Sequence, residues 1–380
     1  MFPEFVGLAG SCSGTLGGRS VLDQETKRYV VLDGMRGMAA MCVAVLHACQ
    51  LFKLGYKPFH ASLAVDFFFC LSGFVVAFAY DRKLPGISLK RFCAIRLIRL
   101  YPLIALGIAL GSIVLLAALL RGDLAWKQTL VLIASAFLLL PMGLKYQFHA
   151  YPVNNPIWSL FFELCANLAY GVHTKYGQPL KRGAVAAIVA ALAVALAGAV
   201  VLQNGVDPIG FDGPRNFVLG FARVAFPFVV GICICRSGIH RRLPRLHWAL
   251  PMAALLVILL CPLWRHQPLF DLLCLLVLLP MIVAFGAACD VAPHSRSLRG
   301  LEWLGAMSYP FYLVHEPVLR FVREVGFTDV PRIALALGAM TVSVVLAQVA
   351  LTWWDEPLRA ALMRRLRRAP ATPGVFTAAR

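Results

Sequence analysis

Two histidines lie inside long apolar segments, where an ionisable side chain is costly and is a functional candidate by default. His47 follows Arg36 by eleven residues, which places it about 16 Å deeper along a helix at 1.5 Å per residue. His315 ends a second apolar segment and could reach a similar depth. A buried neutral imidazole can act as a general base or as a nucleophile. The pattern predicts a polar site shared by His47 and His315; alternatively, either one is a core histidine bonded to a neighbouring helix.

Two acids and two further arginines accompany these histidines. Asp66 and Glu163 also lie in apolar segments and could orient an imidazole or bind hydroxyl groups, unless they are interfacial acids paired with Lys or Arg. Arg96 and Arg99 are one helical turn apart and share a face. Together with Arg36 they could bind phosphate groups, although anchoring at the cytoplasmic side of a membrane explains them equally well.

The composition is that of a membrane protein. Of the 380 residues, 60% are hydrophobic and only 14% are charged, against about 45–50% and about 25% in soluble domains. These values exclude a disordered chain, a disulfide-stapled secreted domain and an ordinary cytosolic enzyme. The formal net charge of +18 comes from Lys and Arg between apolar segments, which favours contact with anionic lipid and not nucleic-acid binding. The eleven cysteines contain no C-x-x-C pair, so no metal site is predicted.

The apolar segments predict transmembrane helices, because about 20 apolar residues cross a bilayer. Basic connections put both termini on the cytoplasmic side, which requires ten crossings. One segment between residues 128 and 172 is therefore expected to enter without crossing, and the segment opened by Asn154-Asn155-Pro156 is the favoured one. The predicted fold is an all-α polytopic transmembrane helix bundle with about ten spans and one re-entrant segment. The eleven apolar segments are 33–53, 62–80, 99–120, 128–144, 156–172, 184–203, 216–236, 248–264, 268–289, 303–322 and 332–354.

Three regions follow from this organisation. Residues 1–28 are predicted to be a mobile cytoplasmic tail, since they lack the basic start and apolar core of a secretory signal. Residues 29–356 form the transmembrane domain. Residues 357–380 form a basic cytoplasmic tail that contacts membrane lipids. The chain has no eukaryotic sorting signal, which is compatible with a bacterial inner membrane.

Five motifs in order resemble those of the acyltransferase-3 family of integral membrane acyltransferases, from about Val31 to Arg368. Two departures stand out: the family often has two adjacent acids where this chain has Glu163-Leu164, and a Ser that commonly precedes them is replaced by Phe161. The matching motifs are Leu32-Asp33-Gly34-Met35-Arg36-Gly37 followed by His47, Val65 to Phe74, Arg96-x-x-Arg99, Trp158-Ser159-Leu160 with Glu163, and Ser308-Tyr309 followed by His315.

The resemblance implies transfer of an acyl group, usually acetyl, from cytoplasmic acyl-CoA to a hydroxyl of an extracytoplasmic saccharide or glycolipid, such as exopolysaccharide or lipopolysaccharide. On this hypothesis Arg36, Arg96 and Arg99 hold the phosphates of CoA. His47 acts as base or as acyl carrier, while His315, Glu163 or Asp66 orients His47 or the acceptor. A rival interpretation is a transporter or flippase for a polar lipid or saccharide, since midplane ionisable residues also suit that class.

Overall fold

The computed structural model describes residues 29–56, 58–261, 268–327 and 329–368, and these residues contain helices and no β-strand. Every apolar segment predicted from the sequence overlaps a helix, so the all-α polytopic bundle is confirmed. The predicted tail 1–28 and the final residues 369–380 lie outside the described residues. The helices are α1 (Val30–Phe52), α2 (Ala64–Tyr80), α3 (Leu89–Leu120), α4 (Trp126–Phe137), α5 (Ile157–Tyr176), α6 (Arg182–Gln203), α7 (Gly213–Ser237), α8 (Ala249–Leu260), α9 (Pro268–Leu273), α10 (Leu279–Ala288), α11 (Arg296–Val325), α12 (Arg332–Val349) and α13 (Glu356–Arg368).

Seven helical stretches among the described residues are long and apolar enough to cross a membrane. Two π-helical turns join α9 to α10 and α12 to α13 into longer continuous stretches. α8 is apolar but has only 12 residues, about 18 Å at 1.5 Å per residue. The total of about ten crossings stays a prediction. The seven stretches are Val30–Phe52, His60–Tyr80, Leu89–Leu120, Arg182–Gln203, Gly213–Ser237, Pro268–Ala288 and Arg332–Arg368.

Ion pairs and hydrogen bonds mark the two ends of the bundle. At one end, here called the basic end, Arg236 binds Asp81 with N–O distances of 2.7 and 2.9 Å, and Lys175 Nζ donates to a backbone carbonyl of the α2–α3 connection. At the opposite end, here called the distal end, Arg121 at the end of α3 binds Glu324 near the end of α11 at 2.9 Å. The last turns of α2, α5 and α7 therefore lie together at the basic end.

α4 is the segment whose length best fits entry without crossing. It has 12 residues, about 18 Å of helix at 1.5 Å per residue, and it ends before Pro141, whose ring disfavours helical backbone at the preceding residue. The chain then folds back on itself, and the Tyr151 hydroxyl donates to the Leu139 carbonyl at 2.7 Å. α5, in contrast, runs for 20 residues to the basic end. The sequence favoured the α5 segment for this role; the helix lengths favour α4.

α1 and α11 approach each other closely because glycines line their contact. A Cβ atom added to Gly37 would overlap the backbone carbonyl of Leu304, and one added to Gly34 would overlap the side chain of Leu301. From the other helix, a Cβ at Gly305 would meet α1. Small residues allow this approach between membrane helices, where lipid provides no hydrophobic drive for association. The contacts advance along both helices together, so α1 and α11 run parallel.

A second glycine contact joins α2 to α7. A Cβ atom at Gly73 would overlap the Phe228 carbonyl, and one at Gly231 would overlap the Cys70 carbonyl. The Asp66–Arg223 and Asp81–Arg236 pairs advance along both helices together, so α2 and α7 run parallel and cross at these glycines. This packing brings Asp66 of α2 to the same level as Arg223 of α7.

Replacing Gly37 with alanine should destabilise the protein by about 1–3 kcal/mol, because the added methyl group overpacks the α1–α11 contact. Gly338 of α12 is the matched control, since nothing lies within 4 Å of a Cβ built there. Gly338→Ala should be neutral or stabilising by up to about 1 kcal/mol, as alanine favours a helix over glycine. Thermal unfolding in detergent measures both. Equal unfolding temperatures for the two variants would contradict the close contact.

Candidate active site

The two histidines predicted from the sequence meet across the α1–α11 contact. His47 Nδ1 lies 3.0 Å from His315 Nε2, and the rings are nearly parallel, 17° apart. His315 is fully buried, and its Nδ1 lies 3.1 Å from the Phe311 carbonyl oxygen one turn earlier in α11. The two imidazoles and the carbonyl therefore form one hydrogen-bonded chain.

The carbonyl end of this chain fixes where the protons lie. A carbonyl oxygen only accepts, so His315 Nδ1 carries a hydrogen and, in the neutral ring, Nε2 accepts. His47 Nδ1 must then donate to His315 Nε2. In neutral His47 this leaves Nε2 with a free lone pair, which is the position of a general base or a nucleophile.

A cavity of about 620 Å³ adjoins His47 near the distal end. Its wall combines aromatic rings, arginines and carboxylates, a mixture that suits a polar ligand with some apolar faces. His315 is not part of the wall and acts on the cavity only through His47. The lining includes His47, Gln50, Phe148, Asn155, Trp158, Phe211, Arg223, Tyr312, Glu316 and Arg320.

Prolines inside α11 help to attach the neighbouring segment to this site. Pro317 has no N–H, so the carbonyl of Leu313, four residues earlier, lacks its helical donor. The Asn154 side-chain amide fills that position at 2.9 Å. This bond ties the segment before α5 to α11 within one turn of His315, and it positions the adjacent Asn155 at the cavity.

Asp66 is held by an arginine that the sequence analysis missed. Arg223 donates from Nε and Nη2 to the two carboxylate oxygens of Asp66 at 3.0 and 2.8 Å, and both residues are buried. Arg223 also donates to the Val206 and Ile209 carbonyls and lies over the ring of Trp158. The contacts of Asp66 are thus with Arg223 and not with an imidazole. Arg223 lies within the predicted apolar segment 216–236. A charged side chain in such a segment is a functional candidate, so the sequence did contain a signal for this residue.

Glu163 and Arg96 meet each other in a buried polar group of their own. Glu163 Oε1 accepts from Ser72 at 2.7 Å and lies 3.4 Å from Arg96 Nη2. Arg96 is only 4% exposed, so its charge lies inside the bundle with Glu163 as counterion. The pair joins α3 to α5, and neither residue lines the cavity next to His47.

Arg36 and Arg99 differ in their surroundings: Arg36 has several partners within the protein, whereas Arg99 is exposed. Arg36 donates to the Ser308 hydroxyl at 2.8 Å and to the Gly305 carbonyl at 3.0 Å, and it also pairs with Asp33 at 3.2 Å. It therefore braces α1 against α11 at the end of their contact nearest the basic end. Arg99 is exposed on α3.

A further arginine, absent from the predicted site, lies near Arg99. The π-helical turn before α13 carries the buried Asp355, whose carboxylate binds Arg359 at 2.7 Å. Arg99 and Arg359 are both within electrostatic range of Asp355 and of Tyr309. The sequence analysis assigned Arg359 to the tail, because the apolar segment appeared to end at residue 354.

Comparisons with known proteins give the family and several relatives of this chain. The acyltransferase-3 family, described as an acyltransferase domain, matches residues 29–352. The acyltransferase MdmB of Streptomyces mycarofaciens is 28% identical over 374 residues, covering 89% of this chain and 93% of that protein. Protein 2 in the picA locus of Rhizobium radiobacter is 36% identical over 193 residues, covering 44% of this chain and 96% of that protein.

A third relative is longer than this chain. The putative peptidoglycan O-acetyltransferase YrhL of Bacillus subtilis (strain 168) is 25% identical over 367 residues, which cover 87% of this chain and 55% of that protein. No solved structure matches the chain at a significant level.

Removing one partner of the Asp66–Arg223 pair should cost about 3–5 kcal/mol, because it leaves a buried charge without its counterion. Asp66→Asn and Arg223→Gln should each lower the unfolding temperature in detergent. The double variant should cost less than the sum of the two single costs. Additive costs would contradict a direct pair, and an unchanged unfolding temperature in Asp66→Asn would contradict its role in positioning α7.

Proposed function

The chain belongs to the acyltransferase-3 family and is a multi-pass membrane O-acyltransferase, and from this premise we propose that it moves an acetyl group from acyl-CoA to a saccharide hydroxyl. The donor is cytoplasmic and the acceptor extracytoplasmic. The observation that carries the proposal is the free lone pair on His47 Nε2. The hydrogen bonds from His47 to His315 and from His315 to the Phe311 carbonyl fix this tautomer, and His47 lies at the wall of a cavity large enough for a sugar unit.

The chemical step uses the lone pair on His47 Nε2. His47 Nε2 takes the proton of the acceptor hydroxyl while the oxygen attacks the thioester carbonyl carbon. A C–O bond forms, the C–S bond breaks, and the departing sulfur receives the proton from His47. The products are the ester and free CoA, and His47 returns to its starting tautomer.

The donor side of the proposal rests on the arginines near the basic end. Coenzyme A is polyanionic, so its phosphates stay outside the apolar core while its narrow arm extends inward. Arg99 is exposed, so it suits phosphate binding. Arg359 lies in the same region but is already paired with Asp355. Arg36 and Arg96 are already bound by Ser308 and Glu163, and we assign them to bracing the helices that form the path.

The acceptor side rests on the distal cavity. Trp158, Phe148 and Phe211 present aromatic faces, and carboxylates near them can accept hydroxyl hydrogens. The name of the Bacillus relative, a putative peptidoglycan O-acetyltransferase, supports a saccharide acceptor and an acetyl group. Since Lys and Arg mark the cytoplasmic side, the basic end faces the cytoplasm, with both termini, and the cavity lies nearer the outside. The named relatives are bacterial, which supports an inner-membrane location.

The decisive experiment measures CoA release from acetyl-CoA by the purified protein in lipid, with and without a crude envelope-glycan extract. His47→Ala should bind acetyl-CoA normally and lose at least about 100-fold in turnover, the usual contribution of a positioned base. His173→Ala, at an exposed position of α5, is the control and should keep full activity. Normal turnover in His47→Ala would refute the mechanism. Glycan-independent release would refute the saccharide acceptor.

Arg99→Ala should raise the KM for acetyl-CoA by about 10-fold, since hydrogen bonds to charged groups contribute about 1.5–3 kcal/mol. Turnover at saturating acetyl-CoA should change little, because the thioester carbonyl still reaches His47. Arg121→Ala removes an equally exposed charge at the distal end and should leave this KM unchanged. Initial rates over a range of acetyl-CoA concentrations measure both variants. An unchanged KM in Arg99→Ala would remove this residue from the donor site.

A further inference from the structure

Glu316 places a buried oxygen without a donor at the cavity wall. The residue follows His315 in α11 and is only 7% exposed, and it lines the same cavity as His47. Its Oε1 lies 3.5 Å from Arg320 Nη1. Its Oε2 is buried and receives no hydrogen bond from any described residue.

Asn155 carries a second such oxygen. The backbone N–H of Asn155 approaches the Glu316 carboxylate, and its side-chain oxygen Oδ1 is buried without a hydrogen-bond donor among the described residues. Asn155 lines the cavity too. Two neighbouring residues of the wall, on two different elements, therefore each carry a buried acceptor without a donor.

Two nearby donors of the protein are already committed. Arg320 Nη1 donates to the Pro152 carbonyl at 2.6 Å, and the Asn154 amide donates to the Leu313 carbonyl. Buried polar atoms normally have a partner, and leaving them unpaired is unfavourable. A group that fills the cavity can supply the missing donors. Water can supply them when the cavity holds no substrate, and a ligand that displaces this water loses affinity unless it brings its own donors.

We propose that Glu316 Oε2 and Asn155 Oδ1 form a hydroxyl subsite that positions the acceptor beside His47 and selects for polyhydroxylated acceptors. The reacting hydroxyl gives its proton to His47 Nε2, so the subsite binds hydroxyls next to that one on the same sugar. Successive residues of a helix point about 100° apart, so His315 can face α1 while Glu316 faces the cavity. This inference rests on the saccharide acceptor proposed above, and it names the residues that recognise it.

The test separates acceptor binding from donor binding. With acetyl-CoA and the envelope-glycan extract, Glu316→Ala should lose about 100-fold in kcat/KM for the glycan, while the KM for acetyl-CoA stays unchanged. Glu316→Gln retains a carbonyl oxygen and should lose only about 10-fold. Asn155→Ala should lose about 10-fold in the same parameter. These sizes correspond to about 1.4 kcal/mol per tenfold change, within the range for an unpaired buried polar group.

Glu324→Gln is the matched control, because Glu324 lies on the same helix and also pairs with an arginine but not at the cavity. It should behave as the wild type. If the Glu316 and Asn155 variants match this control, or if they raise the KM for acetyl-CoA as much as that for the glycan, the subsite is refuted and the transferase proposal stands. If the wild type itself shows no glycan-dependent CoA release, the proposed acceptor fails and the subsite fails with it. Should Glu316→Ala not fold, the comparison of Glu316→Gln with Glu324→Gln decides alone.

Discussion

The close contact between α1 and α11 is the constraint on which the site depends. Gly37 and Gly305 let the two backbones approach until a single methyl group would not fit, and this distance allows hydrogen bonds to cross directly from one helix to the other. Arg36 reaches Ser308 near one end of the contact, and His47 reaches His315 eleven residues further along α1. Because both helices run in the same direction, one register satisfies both pairs. A wider separation would break both of these hydrogen bonds.

The buried charges of this bundle are mostly neutralised within the protein. Asp66 and Arg223 neutralise each other, and Arg96 lies against Glu163. Charge inside an apolar helix is expensive unless a partner and hydrogen bonds offset its lost hydration. A charged residue in a membrane-spanning segment of this protein therefore indicates a buried ion pair first, and a catalytic role only where other evidence supports it. Some buried polar atoms lack a hydrogen-bond partner among the described residues, and two of them, on Glu316 and Asn155, belong to residues that line the cavity beside His47.

The sequence was sufficient for the helices and for the two histidines, because both leave local signals. Apolar length predicts a helix, and an imidazole inside an apolar segment stands out against it. The partners could not be found in the same way: Asp66 and Arg223 are 157 positions apart, and nothing local in either segment specifies the other. The bond from Asn154 to Leu313 depends on the missing N–H of Pro317 in another helix. Which segment between residues 128 and 172 enters without crossing stays a prediction. The sequence does not show where α4 ends, since the apolar residues continue past Pro141 whereas the helix ends at Phe137.

The hydrogen-bond chain from His47 ends on the peptide carbonyl of Phe311, a neutral group. In hydrolases built on a serine, histidine and aspartate, the last member is an anion that stabilises the imidazolium. A carbonyl fixes the tautomer equally well but brings no full negative charge to the chain. An imidazolium at His47 would thus have a short lifetime, which, in the proposed mechanism, favours passing its proton to the sulfur of the donor in the same encounter. That mechanism requires both substrates to be bound at once, so this architecture suits a ternary complex better than an acyl group stored on the enzyme.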